Sequence, residues 1–86
     1  MHDLPEVEQR IKDFIEEVSA GRLKASALSS EQSLIGDLDL DSLDYAQVFL
    51  GSEEWLGSKV PEDTVDWSKI RTIHELASLL HRNQTI

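Results

Sequence analysis

Apolar residues near the start of the chain recur at a helical interval, and that spacing limits the fold more than any other feature of the sequence. Leu4, Val7, Ile11, Phe14, Ile15 and Val18 fall three or four residues apart, on one helix face that has to be buried. Asp3 with Glu6 has the form of a capping box, Pro5 is tolerated in the first turn, and Gly21 is a natural stop. A second helix is expected from about Ser42 to Leu56, with Leu43, Ala46, Phe49, Leu50 and Leu56 as its apolar positions and Gly57 ending it. Pro61-Glu62-Asp63 opens a short third helical turn, pinned to the core by Val65, Trp67 and Ile70. Thr72 with Glu75 is a second capping box, leading Ile73, Leu76, Ala77, Leu79 and Leu80 along a last helix to about Arg82. No segment reads as a strand. Residues 22–41 form a long serine-rich connection, and Leu23, Leu28, Leu34, Ile35 and Leu38 favour an ordered loop packed over the core. The expected fold is all-α, a small four-helix bundle with three longer helices and one short. It forms a single domain over residues 1–86, with a loose tail from about Asn83.

Charge narrows the function. Seventeen acidic against eight basic side chains give a formal net charge of −9, which keeps a small domain soluble and points to a monomer. Nucleic acid is excluded as a partner, because its phosphates call for lysine and arginine; partners with basic docking surfaces are favoured. The chain has no cysteine, so disulfides and thiolate metal sites are impossible. No apolar run approaches the ~20 residues of a membrane span. Met1-His2-Asp3-Leu4-Pro5-Glu6 lacks the basic and apolar regions of a signal peptide, so a cytoplasmic protein is expected, and the Asn83-Gln84-Thr85 sequon is read as chance.

The acidic centre invites several chemical readings. Asp37, Asp39 and Asp41 alternate as in a calcium-binding EF-hand loop, but the sixth position is Ser42 rather than glycine and the twelfth is Val48 rather than glutamate. No metal site is expected. Asp41 beside Asp44 reads as a solvated face rather than an acid–base pair. His74 and His81 share one face of the last helix without a further ligand at metal spacing, and both read as surface residues. Ser42 has no histidine or lysine nearby in sequence and no Gly-x-Ser-x-Gly turn around it, so it lacks the base and oxyanion hole of a nucleophile. No catalytic residue is assigned. A serine at a loop-to-helix junction is a place where a large enzyme can attach something, or else a helix cap.

The run Ser33-Leu34-Ile35-Gly36-Asp37-Leu38-Asp39-Leu40-Asp41-Ser42-Leu43-Asp44 resembles the prosthetic-group segment of acyl carrier proteins and peptidyl carrier domains. The likeness continues through Val60-Pro61-Glu62 and Ile70-Arg71-Thr72-Ile73, and so covers nearly the whole chain. It implies that Ser42 carries 4′-phosphopantetheine, installed from coenzyme A by a magnesium-dependent phosphopantetheinyl transferase that recognises Asp41 and Leu43. The arm's thiol would hold an acyl or aminoacyl group as a thioester. An acyl or aminoacyl ligase, an adenylating enzyme or an acyltransferase would load it, and a downstream enzyme would accept it. Leu43, Asp44, Gln47, Leu50, Gly51 and Glu54 follow helical spacing and are expected to form one docking stripe. An acidic helical adaptor without a prosthetic group has no use for the Asp41-Ser42-Leu43 spacing.

Departures from the fatty-acid type bear on the pathway. Gln47 stands where a glutamate is common, acid resumes only at Glu53-Glu54, and Gly51 interrupts the helix at a cost of about 1 kcal/mol relative to alanine. Trp55 and Trp67 are unusual for that type, and Asp66-Trp67-Ser68 is loosely similar to discrete aminoacyl carriers. The expectation is a free-standing carrier of specialised metabolism or aminoacyl transfer, with a fatty-acid carrier as the alternative. Phe49, Trp55 and Trp67 are expected to crowd one half of the core and leave little room for a long acyl chain.

Overall fold

In a computed structural model of the protein, which describes residues 2–84, the spacing near the start becomes helix α1, Leu4–Val18. Its buried stripe is Val7, Ile11 and Ile15, with Leu4, Phe14 and Val18 half-buried beside it. Asp3 accepts the Glu6 N–H at 2.9 Å, but Glu6 pairs with His2 instead of returning to Asp3, so only half of the expected capping box forms. The helix stops at Ser19, and Ala20 and Gly21 turn the chain away with positive φ.

α2 spans Ser42–Leu56 and α3 spans Ile73–Arg82. Gly57 ends α2 in the left-handed conformation, φ 73°, which costs glycine least. Thr72 and Glu75 complete the second capping box in both directions. α1 packs along both α2 and α3, and Ile11, Ile15, Ile73, Leu76 and Leu80 are fully buried where they meet. Each such side chain contributes roughly 1.5–3 kcal/mol of transfer free energy. The buried face of α2 is Val48, Phe49, Ser52 and Leu56, which corrects the expected set, because Leu43 and Leu50 lie 65% and 55% exposed. Among the described residues no helix is long and apolar enough to cross a membrane.

The expected short third helical turn takes the 3₁₀ form, Glu62–Thr64, and a second such turn follows at Trp67–Lys69. Among the described residues the fold is therefore all-α with three α-helices, and the expected short fourth member of the bundle is 3₁₀ rather than α-helical. The reason is local: Pro61 and Asp66 each open one turn closed by i→i+3 bonds, and the Asp66 side chain takes the Ser68 N–H that a longer helix would need.

The long first connection is tied down by backbone bonds to the start of α3. Leu34 N–H donates to the Arg71 carbonyl at 2.8 Å, Ile73 N–H to Gln32 at 3.2 Å and His74 N–H to Ser30 at 2.9 Å. Leu34, Leu38 and Leu40 are buried, while Ile35, an expected anchor, is 57% exposed. Asp39 turns between two buried leucines with φ 56°, a conformation that aspartate tolerates better than most residues. Asn83 and Gln84, expected in a loose tail, are held in place. The Asn83 carbonyl accepts the Lys59 N–H, and the Gln84 amide bonds both backbone groups of His2. Thr85 and Ile86 lie outside the described residues.

Candidate functional site

The start of α2 is set by Asp41, not Ser42. Asp41 is the N-cap in extended geometry, and its carboxylate accepts the Asp44 N–H at 2.7 Å. Ser42 is therefore the first helical residue, exposed, and among the described residues its hydroxyl enters no hydrogen bond. The cap role that competed for this serine is filled by its neighbour. Asp37 and Asp41, candidates for a metal loop, instead bond the backbone N–H groups of Ser33 and Asp44.

Ser42 stands at the mouth of an apolar cavity of about 350 Å³. The wall is built by Ile35, Tyr45, Trp67 and Ile70, with Ser33 and Arg71 at the rim. Two things hold it open. The bonds between residues 30–34 and the start of α3 bring Ile35 opposite Ile70 and Arg71. On the other side, Trp67 meets Phe49 edge to face at 5.3 Å and Tyr45 at 6.5 Å. The Tyr45 hydroxyl donates to the Ile70 carbonyl at 3.1 Å. Burial, with the Glu75 charge adding to it, pushes the Tyr45 phenol up to about 12, so it stays a neutral donor.

The crowding expected in this half is only partly realised. Phe49 and Trp67 face it, but Trp55 lies against α1, where it stacks on His2 at 4.1 Å and Arg10 sits 5.6 Å from its ring. Ile35, Tyr45, Ile70 and Arg71 were not singled out as site residues in the sequence, because only the bonding between the long connection and α3 brings them together.

Of the expected docking stripe, Leu43, Gln47, Leu50 and Glu54 are exposed on α2 and Asp44 is half-buried. Gly51 belongs elsewhere: a side chain there would meet the Phe14 ring at 3.1 Å, so the close approach that this glycine permits is α1's. His74, expected as a plain surface residue, pairs through Nδ1 with Glu8 at 2.9 Å. Glu8 also accepts the Ser30 hydroxyl, so one carboxylate links α1, the long connection and α3. The Glu8 bond holds the His74 imidazole above its usual range. Burial works against the ionised Glu8, yet the Ser30 and His74 bonds keep its carboxyl below the usual range.

No family model matches the chain. It is 32% identical over 79 residues to an acyl carrier protein of Rubrobacter xylanophilus, a match that covers 90% of this chain and 95% of that one. The chain belongs to the acyl carrier protein family. An acyl carrier protein of Rhodococcus erythropolis is 26% identical over 94% of this chain and 85% of its own length. A meromycolate extension acyl carrier protein of Mycobacterium tuberculosis is 29% identical over 84% of this chain; the match spans 59% of that longer relative. The family's prosthetic group needs an accessible, uncommitted hydroxyl and space for an arm beside it, and Ser42 with its cavity fits both needs.

Proposed function

We propose that this acyl carrier protein bears 4′-phosphopantetheine on Ser42 and hands acyl or aminoacyl groups between enzymes. The observation that carries the reading is the uncommitted, exposed Ser42 hydroxyl at the mouth of the apolar cavity, with Asp41 capping the helix in its place. When bound, the group supplies a thiol that holds cargo as a thioester. Asp41 and Leu43 flank the serine where a phosphopantetheinyl transferase has to read it. Leu43, Asp44, Gln47, Leu50 and Glu54 offer loading and accepting enzymes a mixed apolar and acidic strip. A ligase or acyltransferase on one side of the relay and an acceptor enzyme on the other suit such a surface, because charge at the rim speeds encounter more than it tightens the complex.

The cargo we favour is small, an acyl or aminoacyl group of specialised metabolism. Phe49 and Trp67 fill part of this half of the core, and the cavity left beside them is about 350 Å³ and open to solvent, which suits a short group better than a long chain. A carrier for lipid synthesis is the second reading, favoured by the apolar walls and by the relatives named for meromycolate extension. Intact mass after incubation with a broad-specificity transferase and coenzyme A tests the attachment. The parent gains one phosphopantetheinyl group and Ser42→Ala gains none, with unchanged helical circular dichroism. An unmodified parent, or a modified Ser42→Ala, overturns the proposal. Loading with acyl groups of increasing length separates the two cargo readings. Stabilisation that levels off after the shortest acyl groups supports the small cargo, and stabilisation that keeps rising with chain length supports the lipid carrier.

A further inference from the structure

Among the described residues that line the cavity at Ser42, Arg71 is the charged one, and three nearby acids accept backbone N–H groups. Asp41 accepts the Asp44 N–H, and Asp37 accepts the Ser33 N–H at 2.8 Å. Glu75 accepts the N–H groups of Thr72 and of Arg71 itself, each at 3.0 Å. Glu75 feels the Arg71 charge, but among the described residues no carboxylate lies within ion-pair distance of the guanidinium. Also on the cavity, the Ser33 hydroxyl accepts the N–H groups of Gly36 and Asp37 at 2.8 and 3.1 Å, which leaves its own proton to donate. A guanidinium and a hydroxyl donor beside apolar walls suit an anionic oxygen group carried on hydrocarbon.

We propose that Arg71 is the counter-charge for such a group at the cavity mouth, and that the group is the phosphodiester joining the arm to Ser42. The inference rests on the carrier reading above. A carboxylate at the free end of an acyl cargo has the same chemistry and is the other possible source. The phosphodiester is favoured because Ser42 itself lines the cavity, so its ester is present there in every loaded state, whereas cargo sits at the arm's far end. Four aspartates, Asp37, Asp39, Asp41 and Asp44, lie close in sequence to Ser42, so a new negative charge there needs an offset. Arg71 would supply it and act as a positioning residue for the arm, on a cavity it shares with Trp67 and Ile70.

The test is side-chain NMR of the Arg71 Nε–H in the apo protein, the pantetheinylated protein, and the latter loaded with butyryl or succinyl groups. The Nε–H resonance is expected to move on pantetheinylation whatever the cargo, and to move less at high salt. Arg71→Gln should shift the ³¹P signal of the phosphodiester and Arg71→Lys should restore most of that shift. Helical circular dichroism should not change, since the Arg71 side chain is exposed and its backbone bond to Glu75 survives. Movement of Nε–H only with succinyl would overturn the phosphodiester assignment and place a cargo carboxylate there. No movement in any sample, or a ³¹P signal indifferent to Arg71→Gln, would overturn the pairing altogether. The intact mass of the same samples reports separately on the carrier reading; without a pantetheinyl increment that reading fails, and this one with it.

Discussion

The seam between α1 and α3 and the side of the molecule around Ser42 are built in opposite ways. At the seam, Ile11, Ile15, Leu76 and Leu80 are wholly buried, and Glu8 bonds Ser30 and His74 across three segments. Around Ser42 the wall is the first turn of α2, the 3₁₀ turn at Trp67 and two stretches of loop, the aromatic rings meet at their edges, and about 350 Å³ is left unfilled. One side supplies stability and the other keeps room for a guest, and a chain of 86 residues has little core to spare for both.

The sharpest way to break that contrast is to truncate one residue on each side. Leu76→Ala should lower unfolding free energy by about 2–5 kcal/mol, since a fully buried leucine leaves a cavity behind. Trp67→Ala removes a larger side chain from a half-buried wall that already borders open space, and should cost less. Urea melts of the two variants decide it; equal losses would mean that the Ser42 side is as much core as the seam.

Gly51 sharpens the comparison next, because it sits where α2 leans on α1. Gly51→Leu has to displace the Phe14 ring, itself covered by Arg10 at 4.6 Å, and should cost about 1–3 kcal/mol as an overpacked site. Transferase loading of Ser42 should persist in the folded fraction. If stability is unchanged and docking to partner enzymes fails instead, Gly51 belongs to the surface strip after all.

Much of this was legible in the chain. Three- and four-residue spacing placed all three α-helices, and Thr72 with Glu75 marked the start of α3, because those signals act within a turn or two of helix. What the spacing could not resolve depends on distant partners. Ile35 looks like a core aliphatic residue until the bond from Leu34 to Arg71 leaves it exposed on the cavity. Trp55 and Trp67 look alike in sequence, yet one stacks on His2 and the other walls the cavity. The short third element stays a pair of 3₁₀ turns for a local reason: Asp66 in mid-segment competes for backbone N–H groups as a cap. Ser42 itself was legible only through its family resemblance, since a lone serine at a helix start reads first as a cap.

Charge on the open side should matter for encounter rather than for folding. Asp44→Lys or Glu54→Lys should slow loading by a partner enzyme a few-fold at low salt, with the gap closing as screening grows. Melting temperature should barely change, because Glu54 is exposed and Asp44 keeps its backbone bond to the Asp41 cap. Loading rates equal to the parent at low salt would remove these residues from the docking strip.

The smallest expected effect is at the seam and depends on pH. His74 titrates above its ordinary 6.5 in the folded protein because Glu8 accepts from it, with Glu31 and Glu75 adding favourable charge. A raised imidazole contributes stability that is complete below about 6.5 and is lost as pH climbs through the folded value. Glu8 has the opposite sign: its lowered carboxyl contributes above about 4.5 and loses that contribution as pH falls through its folded value. The Glu8–His74 pair is therefore strongest between those limits. His74→Gln keeps a donor near Glu8 but removes the titration, so the gap in melting temperature between parent and variant should be widest near pH ~5.5 and narrow towards pH ~8. The gap should also be small, because the pair is half-exposed on the histidine side and water screens it. A gap of the same size at both pH values would show that His74 holds α3 by packing and neutral hydrogen bonding alone. The seam would then owe its stability to the buried aliphatic residues, and the charged link between α1, Ser30 and α3 would be a passenger on it.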